Sequence, residues 1–245
     1  IFWDNQSTDQ SADIFNSYDD KRLKYFYASK HTLLYEARNL AIEKSQGGYL
    51  AFLDVDDYWD LTKLEKQMLV FSKNSEVAIV YSNFSFKNEI KNTFKELNNK
   101  KLPEGMILDK LLRKNFMGLV TVLLNRGFFD EHEKIFDPRL HIIGDYDMAI
   151  KISAKWKVCC VQQPLATYRW HGGNESISHR ELSIKELERW SIEMKKHPEI
   201  SKNKGFQILL NQIEYMKAML LLMKGDTLTA FNYFLKLPFG MYKLK

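Results

Sequence analysis

The sequence predicts an α/β fold: a mostly parallel sheet flanked by helices, continued by a helical C-terminal tail. Two observations carry this. Through the first eighty residues, short apolar runs alternate with stretches whose apolar residues recur at helical spacing. From residue 178 to Lys245 the helical spacing persists and no strand-like run interrupts it. The chain therefore divides into a sheet-bearing domain over residues 1–177 and a helical extension over 178–245. At 245 residues and 45% hydrophobic content it can bury a full core.

The elements follow in order. Ser7-Thr8-Asp9-Gln10 has capping-box spacing and predicts a helix running to about Tyr18. Residues 23–28 read as a short strand. Leu33, Ala37, Leu40 and Ala41 mark one helix face, and Gly47-Gly48 ends that helix. The run YLAFL, residues 49–53, lacks alternation and predicts a strand covered on both faces. Asp60 reads as the N-cap of a helix with Leu61, Leu64, Met68 and Phe71 on its buried side. Residues 77–81 predict another strand. Residues 87–105 are polar and predict a loop. Residues 108–129 read as helical, then extended. Residues 158–161 and 166–170 predict two strands around Pro164, and Ser178-His179-Arg180-Glu181 is a second capping box that opens the tail.

Lys and Arg number 36 against 31 Asp and Glu, a net charge of +5 that suits an anionic small molecule or membrane surface. The basic residues are scattered and no recognition motif is present, so nucleic acid is not an expected partner. Cys159 and Cys160 are adjacent and form no disulfide framework, which points to a reducing cytoplasm. Asp4 and Asp9 stand where a signal peptide would be basic, and no apolar run is long enough to span a bilayer.

The sharpest local feature is FLDVDDYWD. Asp54, Asp56 and Asp57 place three carboxylates within four residues at the end of a predicted strand, where open α/β sheets bind ligands. A helix cap needs one carboxylate, so Asp60 is read as the cap. The trio is read as a site for Mn²⁺ or Mg²⁺, ions that take oxygen ligands and are commonly completed by substrate phosphates.

FLDVDDYWD resembles the acidic motif of family-2 glycosyltransferases with the GT-A fold, the Rossmann-like fold of nucleotide-diphospho-sugar transferases. Four further segments resemble that family in the same order: IFWDNQSTD, KHTLLYEARNLAI, FDPRLHIIGDYDMAIKI and PLATYRWHGGNESIS. The resemblance implies roles residue by residue. Asp4 contacts the nucleotide base, with Asn5 beside it where many members have a second Asp. Arg38 contacts the nucleotide. Asp54 and Asp56 form the D-x-D pair, with Asp56 the direct metal ligand. His171 reaches the metal or the diphosphate; in the mechanism expected here, Arg169 closes with it over the diphosphate and excludes water. Asp145 is the catalytic base, preceded by Gly144 where the family is usually acidic. Asp147 is structural or acceptor-facing. The family's first strand and helix would precede Ile1, so a chain starting at Ile1 is expected to be an N-terminally truncated domain.

Without the resemblance these residues speak less sharply. Arg38 reads equally as an exposed helix charge, Asp145 as a cap, and His171 as a surface loop histidine. Trp3, Tyr58, Trp59 and Trp156 read as core packing, with Trp170 set apart because it precedes His171. The expected activity is inverting glycosyl transfer from a nucleotide-diphosphate sugar to a glycan or lipid-linked acceptor in cell-envelope polysaccharide synthesis. Two rivals stand beside it. A haloacid-dehalogenase-like phosphatase also places Asp-x-Asp after a strand, but needs Thr or Val where Tyr58 stands. A degenerate nucleotide-sugar-binding module is the second. The tail after Asp226 has no acidic residue and carries Phe231, Tyr233, Phe234, Leu235, Leu237, Phe239, Met241 and Tyr242 with three lysines. It reads either as a peripheral contact with the inner face of the membrane or as a helix packed on the domain or on a second subunit. Nothing in the sequence sets an oligomeric state.

Overall fold

The computed structural model describes residues 1–98, 100–129 and 134–238, with backbone alone at 176 and 177. Strand β1 (Phe2–Asp4) and strand β2 (Tyr25–Tyr27) pair in parallel on either side of helix α1 (Ser11–Asn16). Helix α2 (Leu34–Glu43) leads to β3 (Tyr49–Ala51), β4 (Tyr58–Trp59) and helix α3 (Lys63–Phe71). The long strand β5 (Val77–Asn88) turns back into β6 (Thr93–Glu96), and α4 (Leu108–Arg113) precedes β7 (Leu123–Asn125). Helix α5 (Gly144–Lys155) and the long strand β8 (Lys157–Trp170) complete the sheet. The rest is helical: α6 (Glu175–Ser178), α7 (Arg180–Met194), α8 (Pro198–Ser201), α9 (Lys204–Met223) and α10 (Thr227–Leu235).

The larger sheet runs β3-β7-β5-β8-β4, with β6 added along β5. Its longest ladder, β5 with β8, is parallel. The pairings β3–β7, β5–β7, β4–β8 and β5–β6 are antiparallel. The sheet is therefore mixed where the strand–helix alternation suggests a mostly parallel one. The physical reason is that β6 returns from β5 as a hairpin and β7 runs against β5, so only β8, reached through α5, comes back parallel to it. The polar stretch read as a loop from residue 87 is that hairpin. The two short strands expected around Pro164 are one strand, with a register shift opposite Pro164, whose ring nitrogen cannot donate to the ladder.

Local details differ for equally physical reasons. Helix α1 starts at Ser11 instead of after Ser7, because the Asp9 carboxylate takes both the N–H and hydroxyl of Ser11. Strand β3 lies at the sheet edge, so Tyr49 and Leu53 stay 38% and 47% exposed and only one face is covered. Ser178 belongs to α6 and does not cap α7, whose N-cap is His179 without a side-chain bond. Tyr58 and Trp156 are exposed and lie outside the expected core. The helical extension does not stand apart from the sheet domain. Trp190, Met194, Phe206, Leu209 and Ile213 join one apolar cluster with Leu111, Leu124, Ile150 and Val158. Helix α10 packs on α9 through Ala230 and ring contacts of Tyr233 and Phe234, while Leu228, Phe231 and Leu235 face outward. Phe239, Met241 and Tyr242 fall outside the described residues.

Helix α3 reverses expectation most plainly. Leu61 is wholly exposed and Leu64 and Met68 are largely so; the buried ridge is Lys63, Gln67 and Phe71. The helix begins at Lys63, and Asp60 instead caps the preceding turn by accepting from Thr62. Lys63 Nζ donates to Gln67 Oε1 at 2.8 Å and lies 4.3 Å from the Trp59 ring centre. The Gln67 amide in turn donates to the carbonyls of Val80 and Thr121. This ridge pins the helix to the sheet through polar groups, and burial lowers the Lys63 pKa to about 8.

A lysine whose folded pKa is depressed costs stability below that pKa, and the cost fades as pH rises toward the unfolded value. Buried tyrosines titrate in the opposite sense, so the effect is read as a difference between proteins. Between pH 7 and pH 9 the native chain should gain about 1 kcal/mol of unfolding free energy relative to Lys63→Met. Urea unfolding of both proteins at the two pH values checks this; parallel pH profiles would contradict it.

Candidate active site

The site forms where α2, the turn after β3, the start of α5 and the end of β8 meet; the turn after β1 leads toward α2 through Thr32. Asp4 is 2% exposed at the end of β1. It accepts from the Tyr25 hydroxyl at 2.5 Å and the Ser7 N–H at 2.6 Å. Burial pushes its pKa up, but these bonds prevail and hold it below the usual carboxylate range. Asn5 bridges to Thr32 through its amide donor and acceptor, tying this turn to the approach of α2. In the structure both residues brace the turn.

Helix α2 presents Arg38 to the acidic turn. One guanidinium nitrogen contacts both oxygens of Asp54, at 2.6 and 2.8 Å, and the Arg38 side chain is only 11% exposed. Burial opposes its charge, but Asp54 outweighs it and keeps Arg38 firmly protonated. Arg38 is therefore not the exposed helix charge that one reading allowed, and both Asp54 oxygens are occupied. Asp57 accepts the Arg169 N–H at 2.9 Å. Burial, reinforced by Asp56 and Asp54, pushes its pKa up to about 7. Asp56 faces His171, with Oδ2 3.1 Å from Nε2, and both side chains are about one-third exposed. The Arg169 guanidinium pairs with Glu89, just past the end of β5, at 2.9 Å and not with the acidic turn.

Asp145 opens α5. Its Oδ1 accepts the Tyr146 N–H at 2.7 Å and the Tyr35 hydroxyl at 3.3 Å. Burial raises its pKa, opposed by Arg38 and these hydrogen bonds. Asp147 is 1% exposed and held by Trp190 Nε1 and Lys151 Nζ, so of its two expected roles the structure fits the structural one. The contacts run in one chain: Asp145 to Tyr35, the Tyr35 ring to Arg38 at 5.1 Å, Arg38 to Asp54, and the acidic turn to His171.

The structural comparison defines the class first. The fold matches the crystal structure of Staphylococcus aureus TarS residues 1–349 with a TM-score of 0.62, covering 93% of this chain and 70% of that one at 15% identity. The model of glycosyl transferase family 2 matches residues 1–139, and the chain belongs to this family. The phosphatase alternative falls with that match. Among curated relatives, a putative teichuronic acid biosynthesis glycosyltransferase, TuaG of Bacillus subtilis, is 34% identical over 51% of this chain and 50% of its own length. The Escherichia coli enzyme WfgD, named UDP-Glc:α-D-GlcNAc-diphosphoundecaprenol β-1,3-glucosyltransferase, is 26% identical over 77% of this chain and 71% of its own. The chain spans about half the length of the first curated relatives it matches.

Sequence reasoning missed two residues of the site. Tyr35 read as an ordinary member of α2. Glu186, 1% exposed on α7, accepts the backbone N–H groups of His141, Ile142 and Ile143 at 2.7, 2.9 and 3.2 Å. It thereby holds the segment that leads into Asp145. A carboxylate near the apolar ridge of Ile184, Trp190 and Met194 was the available signal. Glu186→Ala strands three amides, and unsatisfied buried donors are costly. It should lower unfolding free energy by about 3 kcal/mol. Equilibrium denaturation measures this, and a change below about 1 kcal/mol, the worth of a single neutral hydrogen bond, would contradict it.

Proposed function

We propose that this chain carries the donor site and the catalytic base of an inverting glycosyltransferase. The substrate classes are a nucleotide-diphosphate sugar and a glycan or lipid-linked acceptor, and the setting is cell-envelope polysaccharide synthesis. The observation that supports this most is the contact chain joining Asp145, Arg38, the acidic turn and His171 in a member of glycosyl transferase family 2. The activity named for the E. coli relative supports a diphosphoundecaprenol-linked acceptor, and that named for the B. subtilis relative supports teichuronic acid biosynthesis as the kind of setting.

Within the acidic-turn site, the donor set that suits a divalent cation is Asp56 with His171. Their ligand atoms lie 3.1 Å apart and about one-third exposed, whereas Arg38 occupies Asp54. In this reading Asp54 orients the turn, and Mn²⁺ or Mg²⁺ is held by Asp56 and His171 together with donor phosphates. Such an ion, when bound, offsets charge developing on the departing diphosphate. Asp4 and Asn5 shape the nucleotide-side turn, and Arg38, held by Asp54, offers its remaining guanidinium donors to the nucleotide. Asp145 takes the proton of the acceptor hydroxyl as its oxygen attacks the anomeric carbon. The bond from that carbon to the diphosphate oxygen breaks on the opposite face, which inverts the centre.

The tail reading is refined by the fold. Tyr233, Phe234 and Leu237 serve packing, while Leu228, Phe231 and Leu235 form an outward stripe that suits the peripheral membrane contact. No helix among the described residues is long and apolar enough to cross a membrane.

The test is a panel of UDP-, GDP- and dTDP-sugars offered with GlcNAc-diphosphoundecaprenol to the full protein, with nucleotide release as signal. Asp145→Asn should lower turnover by about 10²–10⁴-fold while leaving donor affinity within twofold, as expected of a base that acts on the acceptor. Wild-type turnover would refute the base; unchanged donor binding with no turnover in any native reaction would favour the binding module. Asp56→Asn, or chelation of the native protein with EDTA, should abolish turnover and weaken nucleotide binding measured by calorimetry. Full activity in EDTA would refute the metal. For the tail, Phe231→Ser with Leu235→Ser should reduce co-sedimentation with anionic vesicles without changing the melting temperature; equal sedimentation would leave α10 a packing role alone.

A further inference from the structure

Gly144 stands directly before Asp145, at the first position of α5. Its backbone does not require glycine: the glycines with positive φ are Gly105, Gly172 and Gly225. What forbids a side chain there is the Tyr35 ring. A Cβ built on Gly144 would lie 2.5 Å from Tyr35 Cδ2 and 2.6 Å from Cε2 and Cγ, far inside van der Waals contact. The ring cannot give way cheaply. Tyr35 is 3% exposed, packs against Phe136 at 5.3 Å between centroids, and has the Arg38 guanidinium 5.1 Å from its ring centre.

This packing brings the Tyr35 hydroxyl to the start of α5. Its one proton is shared between the Ile142 carbonyl at 3.1 Å and Asp145 Oδ1 at 3.3 Å, and an ionised carboxylate is the stronger acceptor. Burial, with the Asp145 charge next in weight, raises the Tyr35 pKa, so the hydroxyl remains a donor. The Tyr146 N–H also reaches Oδ1, at 2.7 Å. Among the described residues no hydrogen bond reaches Oδ2. The other charged groups that face Asp145 are Arg38 from α2 and Asp54 from the acidic turn.

We infer that Tyr35 is a positioning residue for the base: its hydroxyl and the Tyr146 N–H hold Oδ1, leaving Oδ2 as the oxygen that takes the acceptor proton. Gly144 and Tyr35 then form one device, in which the missing side chain of one makes room for the ring of the other. This inference rests on Asp145 being the base, and the two claims fail separately.

Tyr35→Phe keeps the ring and removes only the donor. With the nucleotide-release assay above, kcat should fall about tenfold, the worth of one hydrogen bond of this kind. Donor affinity and melting temperature should stay near the native values, and acceptor KM should change less than kcat. In an Asp145→Asn background, Tyr35→Phe should cost nothing further, because the group it positions is gone. Gly144→Ala, which displaces the ring, should reproduce the loss in kcat and also lower the melting temperature. Native kcat in Tyr35→Phe, alongside an inactive Asp145→Asn, would overturn the positioning role alone. An equal tenfold loss in the Asp145→Asn background would place the action of Tyr35 elsewhere. Native turnover in Asp145→Asn would overturn the base, and this role with it.

Discussion

Three carboxylates within one turn repel one another, and the arrangement of the site follows from how that repulsion is relieved. Each carboxylate is answered differently. Asp54 is matched by the buried charge of Arg38, Asp57 is buried until its proton affinity rises toward neutrality, and Asp56 is left facing the imidazole of His171. One group is thus answered by a cation, one by burial and a backbone N–H, and one by an imidazole. Helix α2 and the end of β8 must both sit where they do for this to hold, so the acidic turn fixes the mutual placement of segments far apart in the chain.

Much of this was legible in the sequence, because the informative residues are local. An apolar run ending in FLDVDD announces a strand followed by a turn of carboxylates, and β3 and the acidic turn are found there. The order of five motif segments predicts the family, which the match over residues 1–139 bears out. What was not legible depends on pairing across the chain. Lys63 and Gln67 look like solvent-facing helix residues until Val80, Thr121 and Trp59 are brought over them. The polar residues Ser82, Asn83 and Ser85 conceal the true length of β5, whose extension is buried by β8. Gly144 looks like a departure from a motif until Tyr35, more than a hundred positions earlier, is seen against it. Asp147 and Asp145 are two residues apart and chemically identical, and only the surrounding side chains separate a structural acid from a candidate base.

The C-terminal helices take part in the same logic. Glu186 reaches from α7 to hold three amides ahead of α5, while Trp190 holds Asp147 one turn further on. The helical extension therefore acts as a brace for the segment that carries Asp145, in addition to covering the sheet. Its apolar residues belong to the common cluster, which couples loosening of α7 to the site by ordinary packing.

The β5–β8 ladder carries a kinetic consequence. Val77 pairs with Lys157, so the longest strand pairing in the molecule must close a loop that contains β6, α4, β7 and α5. Pairings of such sequence separation pay their loop entropy before they return contacts, and they slow folding. The end of β8 also delivers the Arg169 N–H to Asp57 and His171 to Asp56. A nascent or partly folded chain therefore leaves Asp56 and Asp57 without these partners until the closure is made. Relief of the carboxylate repulsion is thus in part a reward for completing the fold, and an incompletely closed molecule lacks one wall of the site.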